Sequence, residues 1–267
     1  MATETATKGP TAEIDTALAR ATLFSALALG FRPPEEETIA RLCLTEVAVV
    51  LAGAAAILDS DGESGLVAAM ETVARAGNVG VEALSSSHRA LFGHTARGAV
   101  PPYETEYGNE ALFQQPQELG DLMGFYHAFG LTINCSAHER LDHISCECEF
   151  LSFLAMKEAY ALEQGDTEMR GEINKAQKLF LKDHLGRFLP TIAQKLADAD
   201  PSGFYAALAQ LCLSFAVQES ARFSIPLGGA NLPLRPADDD RVPMACGSGG
   251  ECADMPGSCM PDGDDSV

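Results

Sequence analysis

The sequence predicts an all-α protein, a single-domain helical bundle followed by a disordered, acidic, Cys-containing C-terminal tail. Three observations carry this. Leu, Ala, Glu and Gln are plentiful while Trp is absent. No run of alternating β-branched and polar residues flanked by turn residues is there to build strands. Apolar residues are spread evenly to about position 223 of 267, which favours one core over two.

A first helix starts near Thr11, with Glu13 in its first turn, and runs through ALARATLFSALAL until Gly30, Pro33 and Pro34 end it. The second opens with EEET, whose acids suit a helix N-terminus, and continues as a buried helix to Leu58 before DSDGESG. GLVAAMETVARAG and VEALSSSHRALFG supply two more. Residues 94–109, HTARGAVPPYETEYGN, have paired prolines and no helical period, so they form a loop, one rich in polar aromatics. Helices resume with PQELGDLMGFYHAFG and then from Asp142 to about Gln164. There Ile144, Cys148, Leu151 and Ala155 recur on one face as a core stripe. GEINKAQKLFLKDHLGRFLPTIAQKLADA gives two helices, with a kink or break suggested by Pro190. PSGFYAALAQLCLSFAVQESARF places Phe204, Leu208, Leu211 and Phe215 on one side, with Pro201 in the first turn. Six to nine helices on short loops make a bundle over residues 11–225, leaving 226–267 as the tail. From Pro236 onward, eight acids face one base, Arg241, among many Gly and Pro, so that stretch is expected to be disordered unless a metal or a partner organises it.

A formal net charge of −20 argues against nucleic acid and against anionic membrane surfaces, both of which need clustered Lys and Arg. It suits a cationic partner, and equally serves solubility. MATETATKGPTAEID has no apolar core of a secretory signal. The longest uncharged apolar run, Val47 to Leu58, is far below the roughly 20 residues of a membrane span. A cytoplasmic protein is therefore expected, with its eight cysteines as thiols or metal ligands rather than disulfides.

The densest chemistry lies in HERLDHISCECEF, residues 138–150. His138 and His143 are five positions apart, about 140° around a helix, and Cys146 and Cys148 diverge by about 200°, so neither pair chelates a metal from one helix. Asp142 fits a helix N-cap, a structural role. His143 and Glu147, at i and i+4, are placed to hydrogen-bond, which would raise the histidine pKa; a structural histidine is an equal alternative. No GxSxG, GxxxxGK[ST] or GxGxxG occurs, which points to a binder rather than an enzyme.

The order LFG, PPYETEYG, an acid shortly before Asp-His, then ECEFLSFL resembles the TorD/DmsD/NarJ family of cytoplasmic chaperones for molybdoenzymes. Over about residues 15–225 the resemblance implies an all-helical, non-catalytic protein. Such a protein binds the twin-arginine signal peptide and immature catalytic subunit of a molybdopterin enzyme and delays export until the cofactor is inserted. Glu139, Asp142 and His143 match the family's acid and Asp-His, with Leu141 where a proline often precedes that Asp. Tyr103, Glu104 and Tyr107 match a YExxY loop similar to the branch serving DMSO-reductase-type enzymes for selenate, chlorate, dimethylsulfide or hydrocarbons. A diarginine leader needs carboxylates in fork geometry beside an apolar groove. Glu104, Glu106, Glu139 and Asp142 are candidates for the first, and Tyr103, Tyr107, Phe125 and Tyr126 for the groove wall. An ordinary loop anchored on the bundle is the alternative for the tyrosines. The expected state is a monomer or a helix-exchanged dimer.

The resemblance leaves the tail unexplained. This reading requires no cofactor, but Cys246, Cys252 and Cys259 in CGSGGECADMPGSC are spaced so that a glycine-rich loop can fold around zinc or an iron–sulfur cluster, with Cys135 or a histidine as fourth ligand. A metal or cluster carrier is thus the first rival reading. An enzyme using His143 and Asp142 as an acid/base pair is the second.

Overall fold

In the computed structural model, residues 9–236 are described, except 61, 63, 94–96, 110–113 and 133–138. Among them are ten α-helices, one 3-10 turn and no strands. Helix α1 (Pro10–Phe31) starts with proline in its first turn and ends where Arg32 becomes extended ahead of Pro33 and Pro34. Gly30, expected to end it, lies inside the helix. A Cβ there would stand 2.8 Å from Leu208 Cδ2, so the glycine serves close packing against the last helix.

The single helix expected over 35–58 is two, α2 (Glu36–Leu42) and α3 (Thr45–Leu58), because Leu44 takes an extended backbone and caps the second. Helices α4 (Leu66–Gly77), α5 (Val81–Phe92) and α6 (Gln114–Ala128) follow. Helix α7 (Ile144–Gln164) carries the expected stripe: Ile144, Cys148, Leu151 and Ala155 are all buried. It ends at Gly165, whose left-handed φ of 65° lets the Gly165 and Asp166 N–H groups return to the Leu162 and Ala161 carbonyls.

Helix α8 (Thr167–Asp183) and α9 (Leu185–Ala199) break at His184, not at Pro190, which continues inside α9. Proline cannot donate to the carbonyl four residues back, that of Gly186. Gly228 N–H donates to that carbonyl instead, at 2.8 Å. Helix α10 (Phe204–Phe223) buries Phe204, Leu208, Leu211 and Phe215 as expected.

Helix α1 lies along α7 at the centre of the bundle, where Leu23, Phe24, Leu27 and Phe31 are fully enclosed. Each such side chain contributes about 1.5–3 kcal/mol relative to exposure. By length and composition α1 could span a membrane, but 61% of its apolar window is buried inside the molecule, as in a core helix. A buried ionic staple ties α1 to α7, α8 and α10. Arg20 and Arg222 reach opposite oxygens of Glu158 at 2.6 and 2.8 Å, and Gln177 donates at 2.9 Å. Burial alone would raise the Glu158 carboxyl, but the two guanidinium groups hold it below its ordinary value.

The boundary expected after residue 225 needs correction. Leu227, Leu232 and Leu234 pack on the core, and Thr191 on α9 donates to the Gly229 carbonyl at 2.9 Å while accepting from Leu232 N–H at 3.0 Å. Sequence composition hides this because short extended segments bond through their backbone to whatever lies beside them.

Candidate functional site

The loop expected over 94–109 is where three separate parts of the chain meet. Its Tyr-Glu-Thr-Glu-Tyr core forms one 3-10 turn, Glu104–Glu106, flanked by extended tyrosines. On one side it pairs with the start of α7, Glu104 N–H donating to the Asp142 carbonyl at 2.8 Å and Ile144 N–H to that of Pro102 at 2.9 Å. On the other it pairs with the C-terminal segment, Gly108 N–H donating to Pro233 and Arg235 N–H to Glu106, both at 2.9 Å.

The four candidate carboxylates sit in this hub, but largely engaged within the chain. Glu104 is fully buried; Arg187 on α9 grips Oε1 from Nε and Nη2 at 3.1 and 2.9 Å, and His184 Nδ1 lies 3.1 Å from Oε2. Asp142, also fully buried, accepts from the Thr105 hydroxyl at 2.7 Å and from the Arg140 fork at 3.0 and 2.8 Å. Glu106 is paired with Arg97 at 3.0 Å. Glu139 keeps partial exposure; burial is the main cause that raises its carboxyl pKa, while the Arg140 N–H and the Tyr103 hydroxyl donate to it.

The aromatic candidates divide the same way. Tyr107 is fully buried with its hydroxyl donating to the Pro101 carbonyl at 2.7 Å, so it anchors the loop and lines no groove. Tyr103 is half-buried beneath the Arg140 guanidinium, 4.3 Å from the ring centre; burial and then Glu139 push its hydroxyl up to about 12. Phe125 and Tyr126 face the body, where they meet Phe150 and Phe180 edge-on or tilted, and the Tyr126 hydroxyl donates to the Leu141 carbonyl at 3.0 Å. They dock α6 onto α7 and α8.

Two expectations for the Asp-His pair are overturned. The cap of α7 is His143, not Asp142: Nδ1 accepts from Ser145 N–H at 3.0 Å, which leaves the Asp142 carboxylate free to face the loop. His143 also does not pair with Glu147. Its ring is enclosed, and burial, then the charges of His88, Arg32 and Arg140, lower its pKa to about 3, so it stays neutral rather than gaining a proton. The acid/base reading loses its titrating histidine with this. Glu147 is buried with no donor on either oxygen, and burial, then Glu104 and Asp142, raise its pKa well above the ordinary value.

Sequence reasoning missed the cationic half of the hub. Arg97 lies in the loop itself, while Arg187 and Arg235 come from distant segments, Arg235 joined to Glu118 on α6 at 2.8 Å. No local pattern links those two to the loop. Arg140 lies within HERLDHISCECEF itself, two residues before Asp142, among acids that dominate the motif. Among the described residues no group of three or more His, Cys, Asp or Glu side chains is arranged to hold a metal. Cys246, Cys252 and Cys259 lie outside the described residues, as do Cys135 and His138.

The helical body and its polar loop hub define the class: an all-α protein whose most elaborate site is built from charged side chains suited to binding. The chain belongs to the nitrate reductase delta subunit family, whose profile matches residues 58–194, just over half of it. It is 28% identical over 194 residues to the chaperone protein TorD of Vibrio cholerae, covering 72% of this chain and 85% of that one. The perchlorate reductase assembly chaperone of Dechloromonas aromatica is 32% identical over 38% of this chain and 44% of its own length. The chlorate reductase assembly chaperone of Ideonella dechloratans is also 32% identical, over 44% and 60%. All three are named as chaperones rather than enzymes, in agreement with the non-catalytic reading.

Proposed function

We propose that this chain is a cytoplasmic assembly chaperone for a DMSO-reductase-type molybdoenzyme, binding the twin-arginine leader and the immature catalytic subunit and delaying export until the cofactor is in place. The observation that carries it is the similarity to TorD across 85% of that chaperone's length, with assembly chaperones of perchlorate and chlorate reductases among the other relatives. The hub supports the leader part. Glu139, Glu106 and the half-buried Tyr103 border Asp142, so carboxylates and an aromatic face meet at one place, as recognition of guanidinium groups needs. The test is purification of the chain from its own host, with and without the leader of the co-purifying reductase. Leader-dependent capture of a molybdopterin subunit is expected. Capture of no such subunit would sink the reading.

The second reading, a metal or cluster carrier, rests on CGSGGECADMPGSC alone. It requires zinc or iron to co-purify anaerobically and to be lost when Cys246, Cys252 and Cys259 are changed to Ser.

A further inference from the structure

Arg140 stands out within the hub because its guanidinium does what an arginine from outside would do. It lies over Tyr103, 4.3 Å from the ring centre. It forks onto both oxygens of Asp142 at 3.0 and 2.8 Å and donates to the Thr105 hydroxyl at 2.8 Å. Glu106 Oε1 is a further 3.8 Å away. Every feature that recognises a guanidinium is filled: a bidentate carboxylate, a neutral acceptor, an aromatic face and a second carboxylate. Yet the Arg140 side chain is 46% exposed, whereas Asp142 beneath it is completely enclosed.

The cradle does not depend on this side chain for its shape. Thr105 holds Asp142 from its backbone N–H at 3.3 Å and its hydroxyl at 2.7 Å. The Asp142 carbonyl is fixed by Glu104 N–H at 2.8 Å, and Glu106 by Arg97 at 3.0 Å. Charge points the same way. With Arg140 in place, Asp142, Glu106 and Glu139 face two arginines, Arg97 and Arg140; with Arg140 swung out they face one. The site then carries unbalanced negative charge that another cation relieves.

We propose that Arg140 is an internal placeholder, an autoinhibitory arginine that occupies a guanidinium receptor made by Asp142, Thr105, Tyr103 and Glu106 and yields it to an arginine of the partner. The inference deepens the leader-binding reading and rests on it for the identity of that partner. A placeholder keeps the buried carboxylate paired while no client is present, avoiding an uncompensated charge. It also discriminates, because a lysine gains less from fork and ring than the guanidinium it must displace.

The test compares the full-length chain with Arg140→Ala by calorimetric titration, using N-acetyl-arginine methylamide with the lysine analogue as control. A synthetic peptide with two consecutive arginines ahead of an apolar stretch, and its dilysine counterpart, are titrated in parallel. Vacating the cradle is expected to tighten both arginine probes about tenfold, with little change for the lysine probes. If Arg140→Ala gains the small arginine probe but neither protein binds the peptide, the receptor stands and the twin-arginine reading falls. If both proteins bind the diarginine peptide equally and the small probe gains nothing, the placeholder is overturned and the leader reading survives. An Arg140→Ala chain that no longer folds also overturns it, since a placeholder must be removable; circular dichroism and a melting curve decide this before titration.

Discussion

Glu147 faces Glu104 across the buried base of the loop hub, and neither Glu147 oxygen has a hydrogen-bond donor. Arg187 and His184 already hold Glu104, so the nearby carboxylate and the surrounding burial keep Glu147 protonated.

This has a pH signature. The folded-state pKa of Glu147 is raised, so its contribution to stability is whole below the unfolded value of about 4.5 and declines as pH rises toward the folded value. In that window it contributes a loss of about 1.4 kcal/mol per pH unit. Glu147→Gln keeps a donor and removes the titration. Urea unfolding at pH 5 and pH 8 should show the variant gaining on the parent at the higher pH.

Glu158 behaves in the opposite sense. Its folded pKa is depressed, so its staple is complete above the unfolded value near 4.5 and is lost as pH falls through the folded one. Glu158→Ala leaves buried Arg20 with only Glu219 at 3.9 Å and should destabilise by about 3 kcal/mol at pH 7. The gap between variant and parent should narrow in acid, measured by denaturant midpoints at pH 7 and pH 3.

Arg187→Ala removes the guanidinium that clasps Glu104 from α9. The loss should be about 3 kcal/mol, softened by His184 and by the partial exposure of Arg187. Hydrogen exchange should quicken at Glu104 and Gly108, whose amides hold the loop to its two neighbours, while the α1–α7 contact stays protected.

Truncation tests the corrected boundary. A chain ending at Pro236 keeps Leu227, Leu232, Leu234 and the Arg235–Glu118 pair, and should unfold at the parent's urea midpoint. One ending at Ile225 loses all of them and uncovers the Gly186 carbonyl above Pro190, at about 3 kcal/mol or more. Equal midpoints for the two would show that the segment contributes nothing.

Much of the fold was legible because helix periodicity is local. The stripe from Ile144 to Ala155 and the face from Phe204 to Phe215 follow from spacing alone, as does the punctuation by Pro33 and Pro34. The exceptions arise where a distant partner changed a local rule. Gly228 satisfies the carbonyl freed by Pro190, so the helix runs through, and Leu208 packs against Gly30, so that glycine stays inside α1.

The sequence by itself determined the all-helical class, the core faces, the family motifs and the loop as the place where polar chemistry gathers. Tertiary structure alone decided what that chemistry is. It turned His143 into a neutral cap, buried Glu104 under Arg187 from a distant helix and Asp142 under its near neighbour Arg140, and set Arg140 over Tyr103. The reason is physical: a carboxylate's role depends on its burial and on which cation lies within a few ångströms, and the packing of the chain decides both.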